Sequence, residues 1–334
     1  MSDLAQWNVH GPVHTLRTEH AEWDLSLEQW QAAKRFTLVG FHPDGRINES
    51  EGHNPDGSIS RFSYAYDAVG RMQEARFGMD GDPTSKNIYF YDGRGRLARV
   101  VGVDRDGTER ESEAYIYSQD GKKTRVCFRP KQEPNAGTVG IDVTALSHGD
   151  TDEVLLRDDD DRLLSRVTFT RDNTGRLISA QIHFGEQAPF PDIEKELENA
   201  TPEAREAAAA AFVKMFGPKN IMSSTTFTYD EKGLLQERST RMGELGVHRM
   251  TFRYDDHDNP IEETNEHISR GVQIDEEGNL HPTKETSSTQ NVRFEYKYDS
   301  RGNWTEQVVW SQLEPNPNFE RSNVTRREIT YYAG

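Results

Sequence analysis

One cysteine, Cys127, is present in 334 residues, which excludes an intramolecular disulfide framework and any multi-cysteine metal site. In the stretch "TRVCFR" its expected role is a buried strand thiol rather than a nucleophile. Apolar residues reach only 33%, and no apolar run is long enough to span a bilayer, so no membrane span is expected. Basic residues number 40 against 57 acidic ones, a net charge of −17, with no Lys/Arg run to offset it; nucleic acid is not an expected partner. The start, "MSDLAQWNVHGPVH", lacks a basic n-region and an apolar h-region. As written the chain is expected to be cytoplasmic; earlier removal of a signal peptide would instead make it secreted or periplasmic. No H-E-x-x-H, G-x-S-x-G, P-loop or G-x-G-x-x-G pattern occurs, so no catalytic, cofactor-binding or metal-ligating residue is assigned.

Aromatic residues, by contrast, make up 10% of the chain, which sets it apart from aromatic-poor disordered sequences. They recur with a period. Tyr66, Tyr91 and Tyr117 stand 25 and 26 residues apart, as Tyr229 and Tyr254 stand 25 apart, and Phe41 extends the series backwards. Turns of form D-x-x-G recur with them: Asp67/Gly70, Asp92/Gly95, Asp172/Gly175, Asp230/Gly233 and Asp299/Gly302. Asp accepts hydrogen bonds from the turn's own N–H groups, and Gly takes a positive φ at no steric cost. Shorter D-G turns fall between these, at 54–58, 79–82 and 104–108. The unit is therefore one hairpin per 25 residues or so. Within strands Tyr64 and Tyr66, Tyr89 and Tyr91, Phe227 and Tyr229, and Tyr296 and Tyr298 share a face, while the alternate positions are small or polar. The expected fold is mainly β: a long antiparallel sheet of consecutive hairpins, rolled or curled so that its aromatic face turns inward.

Residues 1–35 are expected to form an N-terminal strand segment that joins the sheet, with the repeat domain over 36–334. Two insertions interrupt the period. Residues 130–160 show no clean alternation and read as irregular. Residues 185–222 contain "TPEAREAAAAAFVKMFGP", the one stretch with helical signals: Thr201 as N-cap, Pro202 at the first position and Gly217–Pro218 as the stop.

The stretch from Arg61 to Arg71, "RFSYAYDAVGR", resembles the YD repeat of the bacterial Rhs (rearrangement hotspot) proteins, and six recognisable copies lie between residues 61 and 304. The C-terminal "YKYDSRGNWTEQVVW" is similar to small stand-alone YD-repeat proteins. The resemblance implies long antiparallel sheets that in large members wrap into a shell around a toxin. This chain is too short for such a shell, lacks its D-P-x-G self-cleavage motif and carries no toxin domain, so toxin delivery is not implied.

Function is less legible. His14 and His20 share strand parity and read as residues of a surface edge strand. The acidic runs "RDDDDR" (157–162) and "DDHDN" (255–259) read as solvated turns; Ca²⁺ is the alternative, although the EF-hand spacing is absent. The candidate ligand surface is aromatic, comprising Trp304, Trp310, Tyr296 and Tyr298, because such side chains stack on sugar rings. The expectation is a non-enzymatic binding scaffold for a glycan or a partner protein, with homo-oligomerisation through sheet edges as a further option. The alternatives are a polysaccharide-acting enzyme using a groove of the sheet, or an accessory fragment of a toxin-encapsulating shell.

Overall fold

The structure is a computed structural model and describes residues 3–33, 35–80, 85–117, 123–128, 141–148, 150–158, 161–185, 221–243, 245–274 and 280–333. Its strands are β1 (Val13–Asp24), β2 (Gln29–Trp30), β3 (Arg35–Phe41), β4 (Ile47–His53), β5 (Ile59–Tyr66), β6 (Met72–Met79), β7 (Ser85–Tyr91), β8 (Leu97–Val103), β9 (Glu109–Tyr117), β10 (Lys123–Phe128) and β11 (Ile141–His148). They continue as β12 (Thr151–Arg157), β13 (Leu163–Arg171), β14 (Leu177–Phe184), β15 (Ile221–Tyr229), β16 (Leu235–Met242), β17 (Gly246–Tyr254), β18 (Pro260–Ile274), β19 (Leu280–Tyr298), β20 (Trp304–Leu313) and β21 (Glu320–Tyr331). All 21 belong to one sheet, and every recorded strand register is antiparallel between neighbours. The expected antiparallel sheet of hairpins is thus present. Among the described residues the helical content is a single 3-10 turn, Leu4–Trp7. The helix expected near 201–216 lies outside the described residues.

The chain divides into two compact units. The first comprises 1–111, 254–262 and 291–334, and the second 112–253 and 263–290.

In the first unit the recurring turn is built as follows around Asp67. At Asp67–Arg71, the Asp67 N–H donates to the Arg71 carbonyl at 2.8 Å and the Gly70 N–H to the Asp67 carbonyl at 2.9 Å. Gly70 has φ +86°, so the loop is a type I turn followed by a left-handed bulge residue. Asp67 Oδ1 accepts the Val69 and Arg71 N–H groups at 3.0 and 2.8 Å, and Oδ2 accepts Arg71 Nε at 2.7 Å. The Arg71 guanidinium then reaches the next repeat, 4.5 Å from the Tyr91 ring centroid. Tyr91 in turn donates its hydroxyl proton to the Met72 carbonyl at 2.7 Å. Arg46 repeats the move one step earlier, 4.5 Å from the Tyr66 centroid, with Tyr66 bonded to the Ile47 carbonyl at 2.9 Å. Successive turns are thereby stacked, Arg on Tyr, in a ladder at one end of the strands.

The N-terminal segment completes this ladder. β1 pairs with β3 on one side (Leu16 opposite Val39) and with β21 on the other (Leu16 opposite Ile329). Neither β1 nor β21 therefore has a free edge, since β21 also pairs with β20. The expected surface edge strand for His14 and His20 is accordingly corrected: β1 lies between two neighbours. Val9, Val13, Leu16, Val39 and Phe41 form the buried core, with Leu4, Trp7, Ile47, Ile329 and Tyr331 packed on it. Burial of each such side chain stabilises by about 1.5–3 kcal/mol. Away from the turns the aromatic face is less covered. Phe62 and Phe77 are directly opposed across β5 and β6 yet 41% and 37% exposed.

The second unit uses the same turn. Asp172 accepts Arg176 Nε at 2.8 Å, the Arg176 guanidinium lies 4.9 Å from the Tyr229 centroid, and Tyr229 donates to the Leu177 carbonyl at 2.6 Å. Within the stretch 130–160 expected to be irregular, the described residues 141–148 and 151–157 are regular: β11 and β12 form a hairpin with Val143 opposite Leu156, and 130–140 lie outside the described residues. Its period is blurred because Val154, Leu155 and Leu156 are consecutive, so both faces are apolar. The acidic run 157–162 is a disguised repeat turn, with Asp158 accepting the Arg162 N–H at 2.9 Å and Asp161 in the glycine position at φ +62°.

Candidate functional site

The strand alternation that buries Leu16 carries Thr18, His20 and Glu22 along the same face of β1. Register places His20 opposite Arg35 of β3 and Thr325 of β21, and Glu22 opposite Asn323. Beyond them the chain turns at Asp24, whose carboxylate accepts the Ser26 and Leu27 N–H groups at 2.9 and 3.1 Å. The turn pairs Trp23 with Trp30, their rings meeting edge to face with centroids 4.8 Å apart. A cleft of about 870 Å³ results, lined by His20, Glu22, Trp23, Gln31, Arg35 and Asn323 among others. All of these residues belong to the first unit.

Its electrostatics are distinctive. His20 Nδ1 lies 2.9 Å from the Thr325 hydroxyl. Burial, then the nearby Arg327 and Arg35 guanidinium groups, hold the imidazole below its ordinary pKa. Arg321 stands 4.8 Å from the centroids of both Trp23 and Trp310, bridging the indole beside the cleft to one on β20. Arg327 lies 3.4 Å from the Trp304 centroid and donates to the Asn8 carbonyl at 3.3 Å. Ser26, then the Leu27 N–H, pull the Asp24 carboxyl below the usual carboxylate range.

The sequence-predicted surface is divided by the structure. Tyr296, Tyr298 and Trp304 come together, the Tyr296 centroid lying 6.0 Å from Tyr298 and 6.1 Å from Trp304. Their polar ends are engaged: Tyr296 donates to the Pro260 carbonyl at 3.0 Å, and Tyr298 donates to the Asp255 carboxylate. His257 stacks on Tyr298 at 4.2 Å, and Trp304 is buried. Trp310 is separate from this group and stands with Arg321 and Trp23. The cleft residues His20, Trp23 and Arg35 were not readable as a set, because they meet only through the pairing of β1 with both β3 and β21. Trp23 and Trp30, which precede the first repeat strand, were the visible signal. Among the described residues no group of three or more His, Cys, Asp or Glu side chains is placed to hold a metal ion. No described helix is long and apolar enough to cross a membrane.

No family model matches the chain, and no curated protein matches it. Solved structures do. A chain in the crystal structure of TcdB2-TccC3-Cdc42 is 13% identical with a TM-score of 0.28, over 88% of this chain. This chain spans only 17% of that one's length. A porin-like protein from Bacteroides uniformis is 11% identical, with a TM-score of 0.30 over 95% of this chain and 96% of its own. OccAB4 from Acinetobacter baumannii is 10% identical, with a TM-score of 0.23 over 95% and 97%. Superpositions this loose carry no argument about function.

Proposed function

We propose that the protein is a non-enzymatic binding scaffold in which the stacked turns of a YD-type repeat hold a glycan-binding cleft. The observation that carries the reading is the cleft itself. An indole, Trp23, supplies an apolar wall, while Gln31, Asn323 and His20 supply hydrogen-bonding groups around it. Sugar sites combine an aromatic platform with a few fixed polar groups in this way, and 870 Å³ is in the range of small-ligand sites. A glycosidase would instead need a carboxyl kept protonated near neutral pH. Such sites use a pair of carboxyls, and Glu22 is the single carboxylate among the described cleft-lining side chains.

The test is retention on immobilised polysaccharides, with and without Ca²⁺, scored together with release of soluble sugar. Retention without product, abolished by Trp23→Ala, is the expected outcome. Release of soluble product would overturn the non-enzymatic reading in favour of a hydrolase or lyase. Retention unaffected by Trp23→Ala would remove the cleft from the account.

A further inference from the structure

Acidic side chains outnumber basic ones 57 to 40 in this chain, and most described arginines are matched to a carboxylate. Arg71 pairs with Asp67, Arg96 with Asp92, Arg176 with Asp172, Arg249 with Glu237 and Arg326 with Glu306. Three arginines in or beside the cleft are among the exceptions. Among the described residues Arg35, Arg321 and Arg327 have no carboxylate partner, and Glu22 is the one carboxylate among the cleft-lining side chains. Arg35 is exposed at the cleft wall, directly opposite His20. Arg327 is one step further along the same face, opposite Thr18. Arg321 flanks Trp23.

Arginines left without a carboxylate in a chain of net charge −17 have a physical consequence. The surrounding field repels anions in general, whereas the cleft offers the planar guanidinium fork of Arg35 beside an aromatic wall. A neutral sugar makes no use of that charge. A pyranose bearing a carboxylate does: its ring lies against Trp23 while its carboxylate accepts a bidentate pair of N–H donors from Arg35. His20 lies directly opposite Arg35, and a bound anion would oppose the Arg327 and Arg35 charges that, after burial, disfavour its protonation.

We propose that the cleft recognises uronic-acid units of an acidic glycan, with Arg35 as the carboxylate-binding residue and Trp23 as the ring platform. This names a ligand class for the glycan-binding reading and rests on it.

The experiment is calorimetric titration of the full chain with trigalacturonate, a hyaluronan tetrasaccharide, the methyl ester of trigalacturonate and neutral cellotriose. At least one of the two acidic sugars is expected to bind tenfold or more tighter than the ester and cellotriose, with an affinity that falls as salt rises. In Arg35→Gln the acid should fall to the level of the ester, while Arg35→Lys should restore part of the difference. Equal binding of acidic and neutral sugars would overturn the uronate assignment and leave the glycan reading intact. Binding of cellotriose alone would do the same. Binding of none of the four would overturn both. Arg35 is exposed at the start of β3, and an unchanged melting temperature in Arg35→Gln separates loss of the contact from loss of fold.

Discussion

Two kinds of turn occupy equivalent places in the first unit, and they are told apart by the residue four after Asp. In Asp67–Arg71 and Asp92–Arg96 the residue four after Asp is an arginine, bonded to that Asp. In Asp255–Asn259 and Asp299–Asn303 it is an asparagine, 3% and 1% exposed. The asparagines bind the N-terminal segment. Asn303 accepts the His10 N–H at 2.6 Å and donates to the His10 carbonyl at 2.9 Å, while Asn8 donates to Asn259 at 2.6 Å. Stacking is passed to the turn's middle residue, so that Arg301 lies 4.2 Å from the Tyr331 centroid and His257 stacks on Tyr298. Gly11, at φ +86°, sits against Arg301 as Gly70 sits against Arg46. The N-terminal segment therefore stands in for the next turn of the ladder, and the same docking seats β1, which carries His20 and Trp23 to the cleft. An asparagine in place of that arginine marks the receiving turns, the first of which also has Asp258 in the glycine position.

The comparison can be broken where it is most demanding. Asn303→Ala removes both partners of the His10 backbone, its N–H and its carbonyl, and we expect a loss of about 2 kcal/mol in denaturant unfolding. Asn259→Ala should cost less, about 1 kcal/mol, because its N-terminal partner is the exposed side chain of Asn8. If the two cost the same, the receiving role is not specific to the backbone contact.

Glycine separates stacking from backbone geometry. Gly57 and Gly70 have φ of +85° and +86°, but a Cβ on Gly57 would meet nothing within 4 Å whereas one on Gly70 would lie 2.8 Å from Arg46 Nη1. Gly57→Ala should cost the conformational penalty alone, about 1–2 kcal/mol. Gly70→Ala should exceed it by about 1 kcal/mol as Arg46 is displaced from Tyr66. Equal melting temperatures for the two variants would show that the stacked arginine contributes nothing. Arg71→Ala, which loses a half-exposed ion pair and the contact with Tyr91, should cost about 1 kcal/mol.

The smallest effects are in pH. The Arg71 N–H beside Asp67 and the Arg96 N–H beside Asp92 hold these carboxyls below the usual range. A lowered folded pKa means that the unfolded chain binds more protons in the window between the two values. The caps' contribution is therefore complete above about pH 4 and is lost as pH falls through the folded values. Thermal melts from pH 5 down to 2 should show a progressive fall, shallower in Asp67→Asn. At the alkaline end, burial raises the Tyr66 and Tyr296 hydroxyls to about 12. Their contribution should hold up to about pH 10 and be lost as pH rises toward 12.

The hairpin sheet and its turns were legible because D-x-x-G followed by alternating aromatics states both turn chemistry and strand period. The disguised turn at Asp158–Arg162 was not, since an Asp in the glycine position hides the signal; the arginine four residues after Asp158 was the surviving clue. The role of that arginine elsewhere was also missed, because stacking on Tyr of the next repeat is a contact between turns some 25 residues apart. Trp304 illustrates the limit for sites: parity gave it a face, but only the fold shows that Arg327 covers the ring. The cleft depends on residues about 300 positions apart, His20 and Thr325, and no local pattern encodes that pairing.

Amide hydrogen exchange at His10 tests the central claim most directly. If the N-terminal segment is the receiving rung, the His10 N–H, bound by Asn303, should be strongly protected in the intact protein and exposed in Asn303→Ala while the β3–β6 amides stay protected. Exchange of His10 at the rate of a free peptide in the unaltered protein would contradict the docking on which both the ladder and the cleft depend.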